Sequence, residues 1–453
     1  MFNKFEFKNK KVVIMGLGLH GGGLGVAKYL AVRGANILIT DTKTKVQLKT
    51  SIEKLKRFKN INYQLGGHRL KDFKEAEIVI ANPIVRQENK FLQAAQTNGA
   101  AIYNDISFFI KLCSAPVIGI TGTKGKSTTS SLIYSLLKAD KKDVYLGGNI
   151  RISPFDFLDK LTAKSLVVLE ISSWQCEGLA RLKISPKVSV LTNLGVDHLN
   201  TYKSLQHYHQ SKALIFKYQS KNDYAILNKQ DDKSLKLINK IKSKLIFFNT
   251  GRKNYFNDKY LYYQYKPLLG VHDVPLIGVH NQSNILAALA VAEIYNIKRS
   301  SIKNALTNFK SLDGRLEKVR TFKKVDYIND TTATAPLAVI SSLEAIAKPI
   351  VLIAGGNDKE LNIDSLADYI IAKVKHVFLL PGTATDKLIK IFKKQNFIGY
   401  NVVKTMSQAV KKAQNIAQAG ETVILSPGAT SFGSFINEFD RGDKFKQAVK
   451  KLY

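Results

Sequence analysis

A chain of 453 residues, 45% hydrophobic and 23% charged, is long enough for roughly two to four domains with real cores. No apolar run approaches a membrane span, two cysteines (Cys113 and Cys176) cannot build a disulfide framework, and the opening MFNKFEFKNKKVVIMG lacks the order of a signal peptide, so a reducing cytoplasm is expected. The net charge of +34 raises the question of a nucleic-acid or anionic-membrane partner, but the excess is mostly lysine scattered over every segment, with no arginine-rich tract, and reads as compositional bias.

In chain order, Lys11–Met15 is a buried-strand run leading into Gly16-Leu17-Gly18-Leu19-His20-Gly21, then an apolar-periodic helix through Ala27–Val32, then a strand over Ala35–Thr40 ending at Asp41. This is the fingerprint G-x-G-x-x-G with an acidic residue at the right remove, which predicts a Rossmann-like unit. The fingerprint reports only a turn that lets phosphates or a uridine approach backbone. An NAD dehydrogenase would leave the second glycine loop unexplained. Further strands are expected over Glu77–Ala81 and Ala100–Tyr103, and no Pro/Gly-rich linker follows.

The second loop is VIGITGTKGKSTT, starting at Val117. It nearly fits G-x-x-x-x-G-K-[ST]: Gly119 stands one residue too far from Gly125, and Gly122 supplies the flexibility. Backbone N–H groups of such a turn and of the helix behind it point at phosphate oxygens. Lys126 adds charge to the terminal phosphates and the Ser127 hydroxyl can ligate Mg²⁺, so ATP binding is expected here. Leu166–Leu169 reads as a strand with Glu170 at its end, either a Mg²⁺ ligand or a helix cap. Val188–Leu191 is another, closed by Thr192-Asn193-Leu194-Gly195-Val196-Asp197-His198. Lys212, in YHQSKALIFK, reads by itself as one solvated lysine among many. Asn249–Gly270 interleaves Tyr, Lys and Asn, which suits a single-strand binding groove or, as preferred, exposed antiparallel hairpins. Asn281 and Asn284 open a helix over Ile285–Ile294, where they can clamp an adenine or phosphate, or cap the helix.

The last segment repeats the α/β alternation, with strands over Val325–Asn329, Ile350–Ala354, His376–Leu380 and Thr422–Leu425. Polar clusters follow three of them: Asp330–Thr334, Gly355–Lys359 and Ser426–Phe432. Strand-end clusters of this kind mark one functional edge of a sheet.

GITGTKGKSTT, LEISSWQ, LTNLGVDHLNTY, the Lys212 segment, HNQSN, DGRLE, INDTTAT, AGGNDK and LSPGATSFGSF occur in the order that characterises Mur ligases, and the whole chain resembles that family. GLGLHGGG with Asp41-Thr42, and SPGATSF followed by Asp440–Phe445, resemble the branch that adds D-glutamate to UDP-N-acetylmuramoyl-L-alanine. The resemblance implies three α/β domains: a Rossmann-like domain for the UDP substrate (1–105), a central P-loop ATPase domain (106–312) and a Rossmann-like domain for the amino acid (313–453). It implies an acyl-phosphate route with ATP and Mg²⁺, in peptidoglycan precursor synthesis, by a cytoplasmic monomer without nucleic-acid or membrane partners.

Residue by residue, the resemblance places ATP at Gly122, Thr123, Lys124, Gly125, Lys126, Ser127, Thr128, Asn281, Asn284, Arg315 and Asp330. It places Mg²⁺ at Ser127 and Glu170, with a second ion at His198 and a carbamylated Lys212. Lys126, His198, Lys212 and Arg315 are the implied catalytic groups. Gly18, Leu19, His20, Asp41, Thr42 and Asn149 would meet the UDP substrate, and Thr334, Lys359, Ser431 and Phe432 the amino acid. Thr332 stands where the usual pattern has lysine, Asn82-Pro83-Ile84 where it has Ser-Pro-Gly, and Glu438 where it often has an aromatic. The alternatives are a related ligase for another amino acid or folate, and a nucleic-acid-binding ATPase.

Overall fold

The structure is a computed structural model and describes residues 6–17, 22–197, 201–276, 278–346, 348–431 and 435–453. These divide into two compact units, Met1–Val271 with Ser283–Thr307, and His272–Gln282 with Asn308–Tyr453.

The first unit holds three sheets. Strands β1 (Lys11–Met15), β2 (Asn36–Asp41), β3 (Ile61–Leu65), β4 (Ile78–Ala81) and β5 (Ala101–Tyr103) form a parallel sheet in the order β3-β2-β1-β4-β5. Strands β6 (Val117–Thr121), β7 (Val144–Gly148), β8 (Leu166–Glu170), β9 (Val188–Leu191), β10 (Tyr224–Asn228) and β11 (Lys244–Phe248) form a second, also parallel, in the order β11-β10-β9-β6-β8-β7. Every residue of β6, β8 and β9 is buried, as a parallel strand covered on both faces requires. Both sheets reverse strand order beside their first strand, and ligands of open α/β sheets bind beyond the carboxyl ends at such points. The third sheet, β12 (Tyr255–Phe256), β13 (Tyr260–Tyr263) and β14 (Lys266–Gly270), is the antiparallel hairpin array expected of Asn249–Gly270.

No linker separates the first two sheets because they share a core. The helix Asp105–Leu112 starts in a capping box, Asn104 accepting from the Ser107 N–H at 2.8 Å and Ser107 Oγ accepting from the Asn104 N–H at 2.9 Å. It presents Phe108 and Phe109 to Phe155, with ring centroids 5.7 and 5.8 Å apart, and Phe155 also packs on Tyr29 at 5.2 Å. These rings join residues of both sheets in one apolar cluster.

In the second unit, β15 (Glu317–Phe322) runs antiparallel to β16 (Val325–Asn329), and β17 (Ile350–Gly355), β18 (Val374–Leu380), β19 (Tyr400–Val402) and β20 (Thr422–Leu425) complete a sheet ordered β15-β16-β20-β17-β18-β19. The expected strands are all present, within two residues of their expected ends. The asparagine-opened helix differs more, since it runs from Val279 to Ile294. Asn281 and Asn284 are therefore inside its first turns, and both are buried. Burial among specific partners overrides the turn preference of asparagine there. Among the described residues no helix is long and apolar enough to cross a membrane.

Removing the ring that closes the shared core, by Phe155→Ala, is expected to cost about 3–5 kcal/mol, read as a lower urea midpoint for the first unit.

Candidate active site

In the first unit the central site is built on the end of β6. The chain leaves the strand at Gly122 with φ +148° and enters the helix Lys126–Ala139 through Gly125 at φ +83°, a left-handed N-cap. A Cβ on Gly122 would lie 1.9 Å from Thr192 Oγ1. The turn between them is held from the end of β9. The Thr123 N–H donates to the Asn193 carbonyl at 2.9 Å and the Lys124 N–H to Asn193 Oδ1 at 3.0 Å. The Lys124 carbonyl accepts from Thr192 Oγ1 at 2.6 Å and from Asn193 Nδ2 at 3.0 Å. Lys126 Nζ donates to the Gly122 and Thr123 carbonyls at 2.9 and 3.1 Å, which fixes the cation against the turn. Ser127 and Thr128 follow in the first helical turn, where backbone N–H groups have no intrahelical acceptor. Asn284 Oδ1 accepts from Thr129 Oγ1 at 3.2 Å, so this asparagine lies against the helix Lys126–Ala139.

Glu170 is the last residue of β8, the strand beside β6, and is 2% exposed. Its Oε1 accepts from Asn149 Nδ2 at 2.9 Å, while Oε2 is buried with no hydrogen-bond partner. A buried carboxylate oxygen without a donor is costly, and a cation is what such an atom fits. Among the described residues no group of three His, Cys, Asp or Glu side chains could hold a metal by itself. A cation here would thus draw on the Ser127 hydroxyl and on phosphate oxygens as well.

Lys212 does not lie in solvent, as its surroundings in the sequence suggest. It sits on the helix Leu205–Ala213, 2% exposed, with Nζ 4.6 Å from the centroid of the Tyr208 ring. Burial lowers its pKa to about 7, helped by the positive charge of Lys126 and opposed by Cys176, Asp197 and Glu170. At neutral pH a large fraction of this lysine is a free amine.

In the first sheet, Asp41 is buried and both its oxygens are engaged. Oδ2 accepts from the Leu17 N–H at 3.0 Å and Oδ1 from the Lys43 N–H at 2.9 Å, so it ties the glycine loop to the end of β2. Thr42 is exposed beside it. Asp105 is buried against Gly22 at the start of the helix Gly22–Val32, where a Cβ would lie 2.7 Å from Oδ2. Burial raises its pKa, against two 3.2 Å bonds from Gln175 Nε2. The fold therefore puts its own carboxylate at the helix end where dinucleotide folds seat a pyrophosphate.

In the second unit the three polar clusters meet. Ser426 Oγ donates to Asp330 Oδ2 at 2.8 Å, the Gly428 N–H to the Ala333 carbonyl at 2.9 Å, and Asn357 and Thr430 exchange backbone bonds at 3.1 and 2.9 Å. Arg441, fully buried, clasps two of the loops: Nε donates to Thr331 Oγ1, Nη2 to the Thr331 carbonyl and Nη1 to the Ala429 carbonyl, at 3.1, 2.9 and 3.1 Å. Burial lowers its pKa to about 10. Asp330 Oδ1 accepts from the Leu316 N–H at 3.2 Å, and Thr332 donates through Oγ1 to the Gly314 carbonyl at 2.9 Å. Both contacts fix the turn that carries the exposed Arg315. Burial pushes the Asp330 carboxyl up to about 6 against its hydrogen bonds from Ser342, Ser426 and Leu316. Lys359 Nζ donates to Thr334 Oγ1 at 2.8 Å, and Ser431 is buried at the end of its loop. The expected residues Gly18, Leu19, His20, His198 and Phe432 lie outside the described residues.

Sequence reasoning assigned no role to Thr192, Asn193, Asp105 or Arg441. The strand-end pair Thr192-Asn193 carried a position signal. Asp105 carried none, and Arg441 only its place in the Asp440–Phe445 motif, because their partners are distant in the chain. Gly122→Ala, which brings a Cβ onto Thr192 at a left-handed φ, is expected to weaken ATP-analogue binding about tenfold or more by calorimetry.

Profiles of the MurD-like N-terminal domain of Mur ligases, the Mur ligase middle domain and the Mur ligase glutamate ligase domain match residues 10–104, 120–292 and 314–429. UDP-N-acetylmuramoylalanine–D-glutamate ligases are similar over full length. Those of a Roseiflexus species and of Borreliella afzelii are 37% and 38% identical over 99% of this chain, covering 100% and 99% of their own, and that of Clostridium tetani is 33% identical over 100% of this chain and 98% of its own. The fold matches UDP-N-acetylmuramate–alanine ligase MurC from Thermotoga maritima (TM-score 0.62, 18% identity, 97% and 99% covered). It also matches MurF ligase from the same organism in complex with ADP (TM-score 0.60, 18% identity, 100% and 97% covered). A phosphate turn clasped from β9, a buried carboxylate on β8 and three polar loops gathered in the second unit thus stand in a chain that belongs to the Mur ligase family.

Proposed function

We propose that the protein is an ATP-dependent ligase that joins D-glutamate to UDP-N-acetylmuramoyl-L-alanine in peptidoglycan precursor synthesis. The observation that carries the chemistry is the arrangement at the ends of β6 and β8. There a phosphate turn with Lys126 and a carboxylate with one unpartnered oxygen on Glu170 both act on the charge of a buried amine on Lys212. The full-length likeness to D-glutamate ligases supports the choice of acceptor. Three domains are proposed, bounded near 105 and 312, with the UDP substrate at the strand ends of the first sheet. The Asp105 carboxylate against Gly22 argues against a pyrophosphate, and so against NAD in its usual pose, at that helix end.

The alanyl carboxylate attacks the γ-phosphorus of ATP, forming a C–O–P link as the bond to the β-phosphate oxygen breaks and ADP leaves. The D-glutamate amine then attacks the acyl carbon, and phosphate departs from the tetrahedral intermediate as the amide forms and the amine gives up its proton. Both steps move negative charge, so positioned cations supply most of the catalysis. Lys126 and the first helical turn hold the terminal phosphates, and the role proposed for Arg315 is a further positive charge on them. Asn281 and Asn284 contact the nucleotide and Asp330 its ribose. Ser127 and Glu170 would hold Mg²⁺, with His198 and Lys212 at a second ion. When bound, the ions neutralise phosphate oxygens. Lys212 as a free amine adds to CO₂ with loss of one proton, which turns it into an anionic ligand. Asn149, Asp41, Thr42, Gly18, Leu19 and His20 face the UDP substrate, and Thr334, Lys359, Ser431 and Phe432 the amino acid. The reading needs no nucleic acid and no oligomer.

Phosphate release from ATP with Mg²⁺ is expected to require both the nucleotide sugar and D-glutamate, and to ignore added RNA. Turnover with another amino acid would move the acceptor, and indifference to the nucleotide sugar would overturn the assignment. The Lys212 amine charges as pH falls through about 7, so carbamylation and kcat are expected to fall between pH 8 and 6 and to recover with added bicarbonate. A ¹³C-bicarbonate carbamate resonance is expected in the wild type and absent in Lys212→Arg. Its absence from an active wild type would remove the modification.

A further inference from the structure

A residue that no motif singles out ties the loop after β4 to the helix that carries Lys212. Arg86 stands in that loop, and its Nη1 donates to both carboxylate oxygens of Glu177 at 2.9 Å each. Its Nη2 donates to the carbonyl of Thr201 at 3.0 Å, three residues beyond His198 in the chain. The guanidinium also lies 4.3 Å from the centroid of the Tyr202 ring. Two lines run on from these contacts. Glu177 Oε1 accepts from Ser211 Oγ at 2.7 Å, and Ser211 is the chain neighbour of Lys212. The Tyr202 ring packs 5.2 Å from Tyr208, whose ring lies under Lys212 Nζ at 4.6 Å. One guanidinium is thus connected to one lysine by a hydrogen-bonded line that ends on the lysine's chain neighbour and by a line of ring contacts.

We propose that Arg86 is a positioning residue that sets the nucleotide-sugar seat of the first sheet in register with Lys212. The inference rests on the reading above, in which the first sheet's strand ends take the UDP substrate and Lys212 serves the phosphoryl transfer. Its physical basis is the planar guanidinium, whose Nη1 bridges both oxygens of Glu177 while Nη2 reaches the Thr201 carbonyl and the cationic face lies over Tyr202. With both partners about three-quarters buried, at 28% and 27% exposure, the pair is shielded better than a surface pair. The loop it anchors starts at Asn82-Pro83-Ile84, at the carboxyl end of β4, where open α/β sheets bind ligands. An attacking carboxylate must approach the γ-phosphorus in line, and small offsets between two halves of a site are expensive in rate.

The test is steady-state kinetics of the full chain with UDP-N-acetylmuramoyl-L-alanine, ATP and D-glutamate. Arg86→Ala is expected to raise KM for the nucleotide sugar about tenfold and to lower kcat on the order of 100-fold, leaving KM for D-glutamate within about twofold. Ser211→Ala acts on the same line, so the double variant is expected to be no worse than Arg86→Ala alone, as linked residues require. Arg86→Lys keeps the charge but loses the second donor nitrogen, and is expected to fall between wild type and Arg86→Ala. A purely structural arginine would lower Tm and leave the surviving enzyme with wild-type KM values, and that result overturns the proposal. So do losses that multiply in the double variant. If Arg86→Ala fails to fold, Arg86→Lys and Ser211→Ala decide: a raised nucleotide-sugar KM in both supports the role, and wild-type values in both overturn it. Wild-type protein without nucleotide-sugar-dependent turnover would instead sink the functional reading beneath it.

Discussion

The hydrogen bonds between the end of β9 and the phosphate turn are what the central site depends on. A glycine-rich turn by itself is a flexible connection with a high conformational entropy. Thr192 and Asn193 engage the N–H of Thr123, the N–H of Lys124 and the carbonyl of Lys124, so the turn has one shape before any phosphate arrives. That shape lets Gly125 enter the helix left-handed and brings the Lys126 cation onto the turn carbonyls. Neighbouring parallel strands then fix the rest by register. β6 pairs with β8 on one side and β9 on the other, and Glu170 leaves the sheet level with Ile120. The site is a consequence of strand order.

Electrostatically the site runs against the composition of the chain. A protein with a net charge of +34 has no shortage of lysines to meet anionic phosphates. The lysine that the fold buries deeply is instead driven towards its neutral form, with Lys126 as the nearby like charge. A positive surface draws polyanions from a distance, while the buried amine is set apart for different chemistry. In the second unit the same logic reverses sign. Asp330 is buried and pushed towards protonation while it holds the Arg315 turn and the Ser426 loop, so a carboxylate there also serves to order loops.

Much of this was legible in the sequence, for reasons that are local. Runs such as Lys11–Met15, Val188–Leu191, Val325–Asn329 and Thr422–Leu425 are rich in β-branched residues and bounded by turn residues, and each is a strand with those bounds. The glycine loops declared themselves through spacing, and the three polar clusters of the last segment through their position at strand ends. What stayed hidden is long-range. Arg86 and Glu177 are 91 residues apart, and Arg441 and Thr331 are 110 apart, with no periodicity to connect them. Lys212 looked solvated because burial of a lone lysine leaves no mark on its neighbours, and only the resemblance to Mur ligases gave it importance. The first turns of the Val279–Ile294 helix were missed because polar residues at a helix start resemble a cap until their burial is known.

The shared aromatic core bears on how the chain is made. Phe108 and Phe109 belong to the helix that follows the first sheet, but their partner Phe155 emerges some 45 residues later, after the whole phosphate loop and its helix. While the ribosome is still working through that interval, every strand of the first sheet has been made and the rings of Phe108 and Phe109 still lack their partner. Such a nascent segment presents these rings for several seconds at ordinary rates of elongation, which makes it a natural client for a chaperone that binds exposed apolar surface, and Phe155 covers them only when the central sheet begins to form.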